Sequence, residues 1–121
     1  HLTSMEAPLS AARAVLYGTA DMVPLAHPVA EAVALAKRDL SSGETLGKIG
    51  ETDYRGWAVT FEQGQTEGAI PLGLAEGATI IKPVKAGDYL TYDNCAPDQS
   101  LLVTQIRHRL DQRNDRLMAA E

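Results

Sequence analysis

Cysteine, tryptophan and phenylalanine occur once each in a chain of 121 residues, and aromatic residues make up only 5% of it. A lone Cys95 cannot close an intramolecular disulfide, so no disulfide framework is expected and a reducing compartment, the cytoplasm, is the expected setting. No apolar run approaches the roughly 18 residues that span a bilayer, and no basic stretch followed by an apolar segment opens the sequence. Neither a membrane span nor a signal peptide is therefore expected. Positive charge is short as well, 11 Lys and Arg against 16 Asp and Glu, for a net charge of −5. That sign is wrong for neutralising many phosphates, so nucleic acid is not an expected partner.

Several chemical signatures are missing too. No G-x-G-x-x-G occurs, and no strand, glycine turn and helix follow one another in a way that would hold a dinucleotide. Gly43 to Lys48 is one residue short of a phosphate-binding loop, and Ile49 stands where that loop needs Ser or Thr. His1, His27 and His108 are scattered and no pair has a metal-ligand spacing, so no metal site is expected. Cys95 has no base beside it in sequence and reads as a partly buried structural thiol rather than a nucleophile. No catalytic residue is assigned.

What is present amounts to one domain, 45% hydrophobic and 22% charged, long enough for a single core. Thr3-Ser4-Met5-Glu6 has the spacing of a capping box, and Leu9, Ala12, Val15 and Leu16 then recur at helical intervals up to Gly18. This predicts a helix over 4–17, whose start slips toward Ala7 if Pro8 has to lie in the first turn. Residues 18–28 hold a glycine and two prolines without a period and read as a linker. The chain opens on His1 rather than Met, and the expectation is a piece of something longer.

From Val29 to Asp93 short apolar stretches alternate with Gly, Pro and Asp, which predicts strands of about five residues joined by tight turns. Within that stretch the segment from Ala36 to Leu46 is echoed from Ile80 to Leu90. Arg38 aligns with Lys82, Leu40 with Val84, Gly43 with Gly87 and Leu46 with Leu90, always 44 residues apart. Such an echo predicts a pseudo-twofold β module in which each glycine takes a positive φ and the apolar pairs share one core. Trp57 to Phe61 reads as a strand for core or interface, Gly64 to Gly68 as a polar loop, and Ile70 to Leu74 as a bulged or edge strand. Past Pro97 the period turns helical again, with Val103, Ile106, Leu110 and Leu117 on one face and four arginines, Arg107, Arg109, Arg113 and Arg116, around it. Those arginines suit helix stabilisation or packing against another subunit or domain.

The repeat would bring together Lys37, Arg38, Lys82, Asp93 and Asn94, with Tyr54 and Arg55 nearby. Cations among amide and hydroxyl groups can hold a carboxylate or phosphate of a small ligand. A solvated turn surface is the plainer alternative.

The stretch from Val29 to Leu46 (VAEAVALAKRDLSSGETL) resembles the opening of a SAF domain. Ile70 to Ala78 (IPLGLAEGA) and Lys85 to Asn94 (KAGDYLTYDN) resemble its close. That resemblance implies a mainly β fold, a β-clip of short strands with a pseudo-twofold repeat, flanked by an N-terminal helix and a C-terminal amphipathic helix. Preceded by His1 to Gly18 (HLTSMEAPLSAARAVLYG), the block is similar to the C-terminal part of homoserine-dehydrogenase-like oxidoreductases, a group that includes enzymes resembling 1-deoxyxylulose-5-phosphate reductoisomerase. The resemblance divides the chain into the helical tail of an upstream catalytic domain (1–18), a linker (19–28), a SAF-like domain (29–97) and a C-terminal helix (98–121). It implies a non-catalytic module of a cytoplasmic NAD(P)-dependent oxidoreductase, serving assembly or closure over substrate, with NAD(P) held by the upstream domain. A freestanding SAF domain binding a small sugar acid or phosphorylated sugar is the second expectation. The third is a dimerisation module using Val103, Ile106, Leu110 and Leu117.

Overall fold

The 44-residue echo reappears in the backbone hydrogen bonds of the computed structural model, which describes residues 2–23, 25 and 27–118, with side chains as far as Arg113. Leu40 and Val84 face each other in an antiparallel bridge, each N–H donating to the other's carbonyl at 2.9 and 3.0 Å. Away from that pair several bonds have counterparts 44 residues on. Gly43 N–H donates to Ile80 at 2.8 Å as Gly87 N–H donates to Ala36 at 2.9 Å. Leu46 donates to Ala78 and Leu90 to Ala34, both at 2.9 Å. The bridges Leu35 to Tyr89 and Thr45 to Thr79 are related in the same way. Gly43 and Gly87 stand at φ +91° and +94°, a region that disfavours any side chain, so the chain can turn back there at low cost only with glycine.

The four apolar anchors of the repeat end in one core. Leu40, Leu46, Val84 and Leu90 are all at least 96% buried and share a cluster with Tyr54, Ile70, Ile80, Cys95 and small alanines. Small residues matter here because strands from both copies cross close together; Ala34, Ala75 and Ala78 are fully buried.

Around this ribbon the elements are α1 (Thr3–Tyr17), β1 (Ala30–Ala36), β2 (Tyr54–Thr60), α2 (Phe61–Thr66), a 3₁₀ turn (Leu72–Leu74), β3 (Thr79–Ile80), β4 (Cys95–Ala96) and α3 (Leu102–Met118). β1 pairs antiparallel with β2, Ala30 opposite Thr60 and Ala36 opposite Tyr54, and β3 pairs antiparallel with β4. The chain is thus a small mixed α and β structure, about 33% helix and 23% strand, and the expectation of a mainly β fold is corrected. Two long terminal helices outweigh strands that the turn glycines cut to single-residue bridges.

Local departures from the sequence reading have physical causes. α1 starts at Thr3 with Leu2 as N-cap and no side-chain cap, so the Thr3–Glu6 capping box does not form and Pro8 lies inside the helix. Gly18 closes α1 at φ 62°, as expected. Phe61 opens α2 instead of extending the strand, and part of the stretch read as a polar loop is that helix. Thr60 caps it, its hydroxyl accepting from Gln63 N–H at 3.1 Å. Ile70 to Leu74 becomes a bridge at Pro71 and a 3₁₀ turn rather than a strand. Trp57 is 47% exposed, so it is not a core residue. Among the described residues no helix is long and apolar enough to cross a membrane.

Candidate functional site

The sequence-predicted polar residues fall into three separate groups. Antiparallel pairing of Leu40 with Val84 sets Arg38 and Lys82 two residues away in opposite directions, about 13 Å apart along the ribbon. The alignment that makes them equivalent by symmetry therefore keeps them from sharing a site.

The first group surrounds the 47–53 loop. Arg38 bridges Glu44 at 2.7 Å and Asp53 at 2.9 Å, and donates a further bond to the Asp39 carbonyl at 2.9 Å. Asp53 is 9% exposed and accepts from Gly47 N–H at 2.8 Å, from Arg38 Nε at 3.0 Å and from Thr52 Oγ1 at 3.3 Å. The Gly47 N–H above all, and then Arg38, hold its carboxyl below the usual range against the opposing push of burial. Lys37 donates to the Glu51 carbonyl, and the Tyr54 hydroxyl donates to the Gly47 carbonyl at 3.2 Å. Burial, followed by the charges of Glu76, Asp53 and Glu51, pushes the Tyr54 phenol up to about 12, so it stays protonated. Lys37 and Arg38 thus already have acceptors, and an anion approaching Arg38 would have to displace Glu44 or Asp53 from it.

The second group lies at the other end of the ribbon. Lys82 meets Asp93 at 3.3 Å in a solvent-exposed pair of the kind that contributes little. Asn94 is spent on the backbone: its Oδ1 accepts from Thr91 N–H at 2.8 Å and its amide donates to the Tyr89 carbonyl at 3.1 Å. In the third group Arg55 lies over the Trp57 ring at 5.1 Å on β2. Among the described residues no group of three or more His, Cys, Asp and Glu is arranged to hold a metal ion. Among the described residues the strand pairs are antiparallel, unlike the parallel sheet on which a Rossmann-type dinucleotide cradle is built. Cys95 is fully buried and burial pushes its thiol up to about 11, which leaves it unreactive as a nucleophile.

The helices carry the more informative geometry. α3 meets the body through Thr104, Arg107, His108 and Asp111, a polar face at i, i+3, i+4 and i+7. Arg107 reaches Glu31 of β1 at 2.6 Å and Asp111 at 2.7 Å, and His108 meets the Tyr92 ring edge-on with centroids 6.4 Å apart. Thr104 is 1% exposed and its hydroxyl has no hydrogen-bond partner among the described residues. Meanwhile Leu102, Val103, Ile106 and Leu110 are exposed at 68%, 51%, 45% and 48%. Three of the four residues predicted as an interface, Val103, Ile106 and Leu110, thus share the outward face; the side chain of Leu117 lies outside the described residues.

This is the reverse of an ordinary surface helix, which turns its apolar stripe inward. α1 goes further. None of its residues is buried, although Leu2, Met5, Leu9, Leu16 and Tyr17 are each more than half exposed at its ends and along it. Arg13 and Ser10 tie it to Asp21 just beyond its end. An isolated helix of this length is marginal in water, and an interior proline weakens it by about 3 kcal/mol.

Sequence reasoning missed Glu31 as the residue that docks α3, because nothing local links it to Arg107, 76 residues on. It also missed the inward polar face of α3, although Thr104, Arg107, His108 and Asp111 have helical spacing that can be read from the sequence. A scan against protein-family models and a search of the curated proteins found no match to this chain.

Proposed function

We propose that this chain is a non-catalytic module of a cytoplasmic NAD(P)-dependent oxidoreductase of the homoserine-dehydrogenase-like kind, built on a SAF-like β-clip and serving assembly rather than chemistry. The observation that carries the assembly role is the orientation of α3, polar face inward and apolar face outward, beside an α1 with no residue buried. Among the described residues nothing covers these helix faces. Uncovered apolar stripes on amphipathic helices mark protein–protein contacts. The β-clip part of the proposal draws support from the hydrogen bonds repeated at 44-residue intervals around the Leu40–Val84 pair. The non-catalytic part draws support from the polar groups themselves: Tyr54 and Cys95 are held protonated, and Arg38 is already occupied by carboxylates.

In this reading NAD(P) belongs to an upstream domain, as the resemblance implies; the missing G-x-G-x-x-G and the antiparallel strand pairs support that reading. The test is direct titration of the 121-residue chain with NADH and NADPH, followed by a hydride-transfer assay with homoserine and related substrates. Neither binding nor turnover is expected. Saturable binding of either nucleotide would refute the proposal.

A further inference from the structure

We propose that α3 is a releasable strap: it lifts from the body as a unit about the exposed 98–101 segment, with the β core intact, and the ion pair between Arg107 and Glu31 is its clasp. The clasp is made within the chain and does not depend on what the outward stripe of α3 meets.

α3 is held differently from the core. Among its described side chains Thr104 alone is buried, and no apolar one is. Docking therefore gains little from the burial of apolar surface, the dominant favourable contribution in folding. Among the described residues no backbone hydrogen bond joins α3 to the body, and Arg107 with Glu31 is the one ion pair that does. Besides that pair, His108 meets the Tyr92 ring and α3 lies against the 3₁₀ turn. Segments with few buried apolar contacts open at lower free energy than the whole fold.

Two features lower the cost of release. Arg107 Nη1 meets Glu31 at 2.6 Å while its Nε donates at 2.7 Å to Asp111, one turn further along the same helix. The strap carries Asp111 with it, so the guanidinium keeps one carboxylate when it leaves the other, and Glu31 passes into water. The Thr104 hydroxyl, buried with no partner among the described residues, gains one from solvent when α3 lifts. The connection allows the movement: Pro97 is buried, whereas residues 98–101 are exposed and Asp98 bonds Ser100 within that segment. A pivot there leaves β4 in place.

Native-state hydrogen exchange of the 121-residue chain, followed by NMR at a series of low urea concentrations, tests this. The amides of Ile106 to Gln112 are expected to exchange through an opening that is more frequent and less urea-dependent than that of Leu40 and Val84 in the core. Glu31→Gln, which keeps the side-chain shape and removes the charge, raises that opening about tenfold. Thr104→Val removes the unpartnered hydroxyl and slows the opening at least about threefold. One common opening for α3, Leu40 and Val84 in the wild-type chain would overturn the strap, as would α3 amides with no protection at all. An α3 opening unmoved by Glu31→Gln would overturn the clasp, and faster opening in Thr104→Val would overturn the role given to the buried hydroxyl.

Discussion

Replacing Gly43 and Gly87 by alanine, singly and together, tests whether the two copies of the repeat are energetically as well as geometrically equivalent. Both glycines have φ near +90°, and a Cβ built on either meets nothing within 4 Å. The cost of substitution is therefore backbone strain alone, about 1–2 kcal/mol for an L-residue forced to positive φ. Alanine also restricts the unfolded chain, which returns roughly 0.4–1 kcal/mol. Each single variant is expected to lose about 1 kcal/mol, and the double variant about 2 kcal/mol, because the two turns lie at opposite ends of the ribbon and share no partner. Gly73 is the control. It sits in the 3₁₀ turn without a positive φ and with open space at its Cβ, so Gly73→Ala should be neutral or slightly stabilising. Urea unfolding followed by Trp57 fluorescence and by circular dichroism measures all four, with coincident transitions establishing two-state behaviour. Melting temperatures should fall by roughly 4 °C per strained alanine. If Gly87→Ala were as harmless as Gly73→Ala while Gly43→Ala was costly, the two turns would not be equivalent and the pseudo-twofold account of the core would fail.

Other outcomes follow from single features. Cys95, buried and with its thiol raised to about 11, should resist a thiol-modifying reagent at neutral pH until the protein is unfolded in denaturant; rapid labelling of the native chain would contradict its burial. The Asp53 carboxyl titrates below its unfolded value, so its contribution is complete above that value and is lost as pH falls through the folded one. Asp53→Asn should thus cost about 1.5–3 kcal/mol at pH 7 and progressively less in acid, measured by urea unfolding at a series of pH values; a pH-independent loss would refute the charge-based account. Deleting residues 1–17 removes a helix none of whose residues is buried, so the melting temperature of the remainder should move by no more than about 2 °C.

Much of the core was legible because it is periodic. Leu40, Leu46, Val84 and Leu90 could be paired from their spacing to the turn glycines, and the positive φ of Gly43 and Gly87 followed from the same pattern. The end of α1 came from Gly18 and the presence of both terminal helices from helical spacing, although α3 begins at Leu102 rather than at the expected residue 98. The α2 helix could have been read too, since Thr60 and Gln63 have the spacing of a capping box, but the glycine within it pointed to a loop. The site was less legible, for a geometric reason. Matching Arg38 to Lys82 along the sequence suggested proximity, whereas antiparallel pairing places symmetry-related residues at opposite ends unless they lie on the axis. The occupation of Arg38 by Asp53, 15 residues on, and of Arg107 by Glu31 depends on chain crossings that no local pattern encodes.

The interleaving of the two copies has a consequence for how the chain can be cut. The paired bonds that close the core, Gly43 to Ile80 with Gly87 to Ala36, and Leu46 to Ala78 with Leu90 to Ala34, run from one copy to the other. Each half lends its partner strands and receives strands in return, so neither half encloses a core by itself. The connection between them acts as a tether that turns a bimolecular encounter into an intramolecular one and supplies a high effective concentration. Severed within the exposed 48–52 stretch, the two pieces would have to find each other in solution, and their recovery would depend on concentration as that of a heterodimer does.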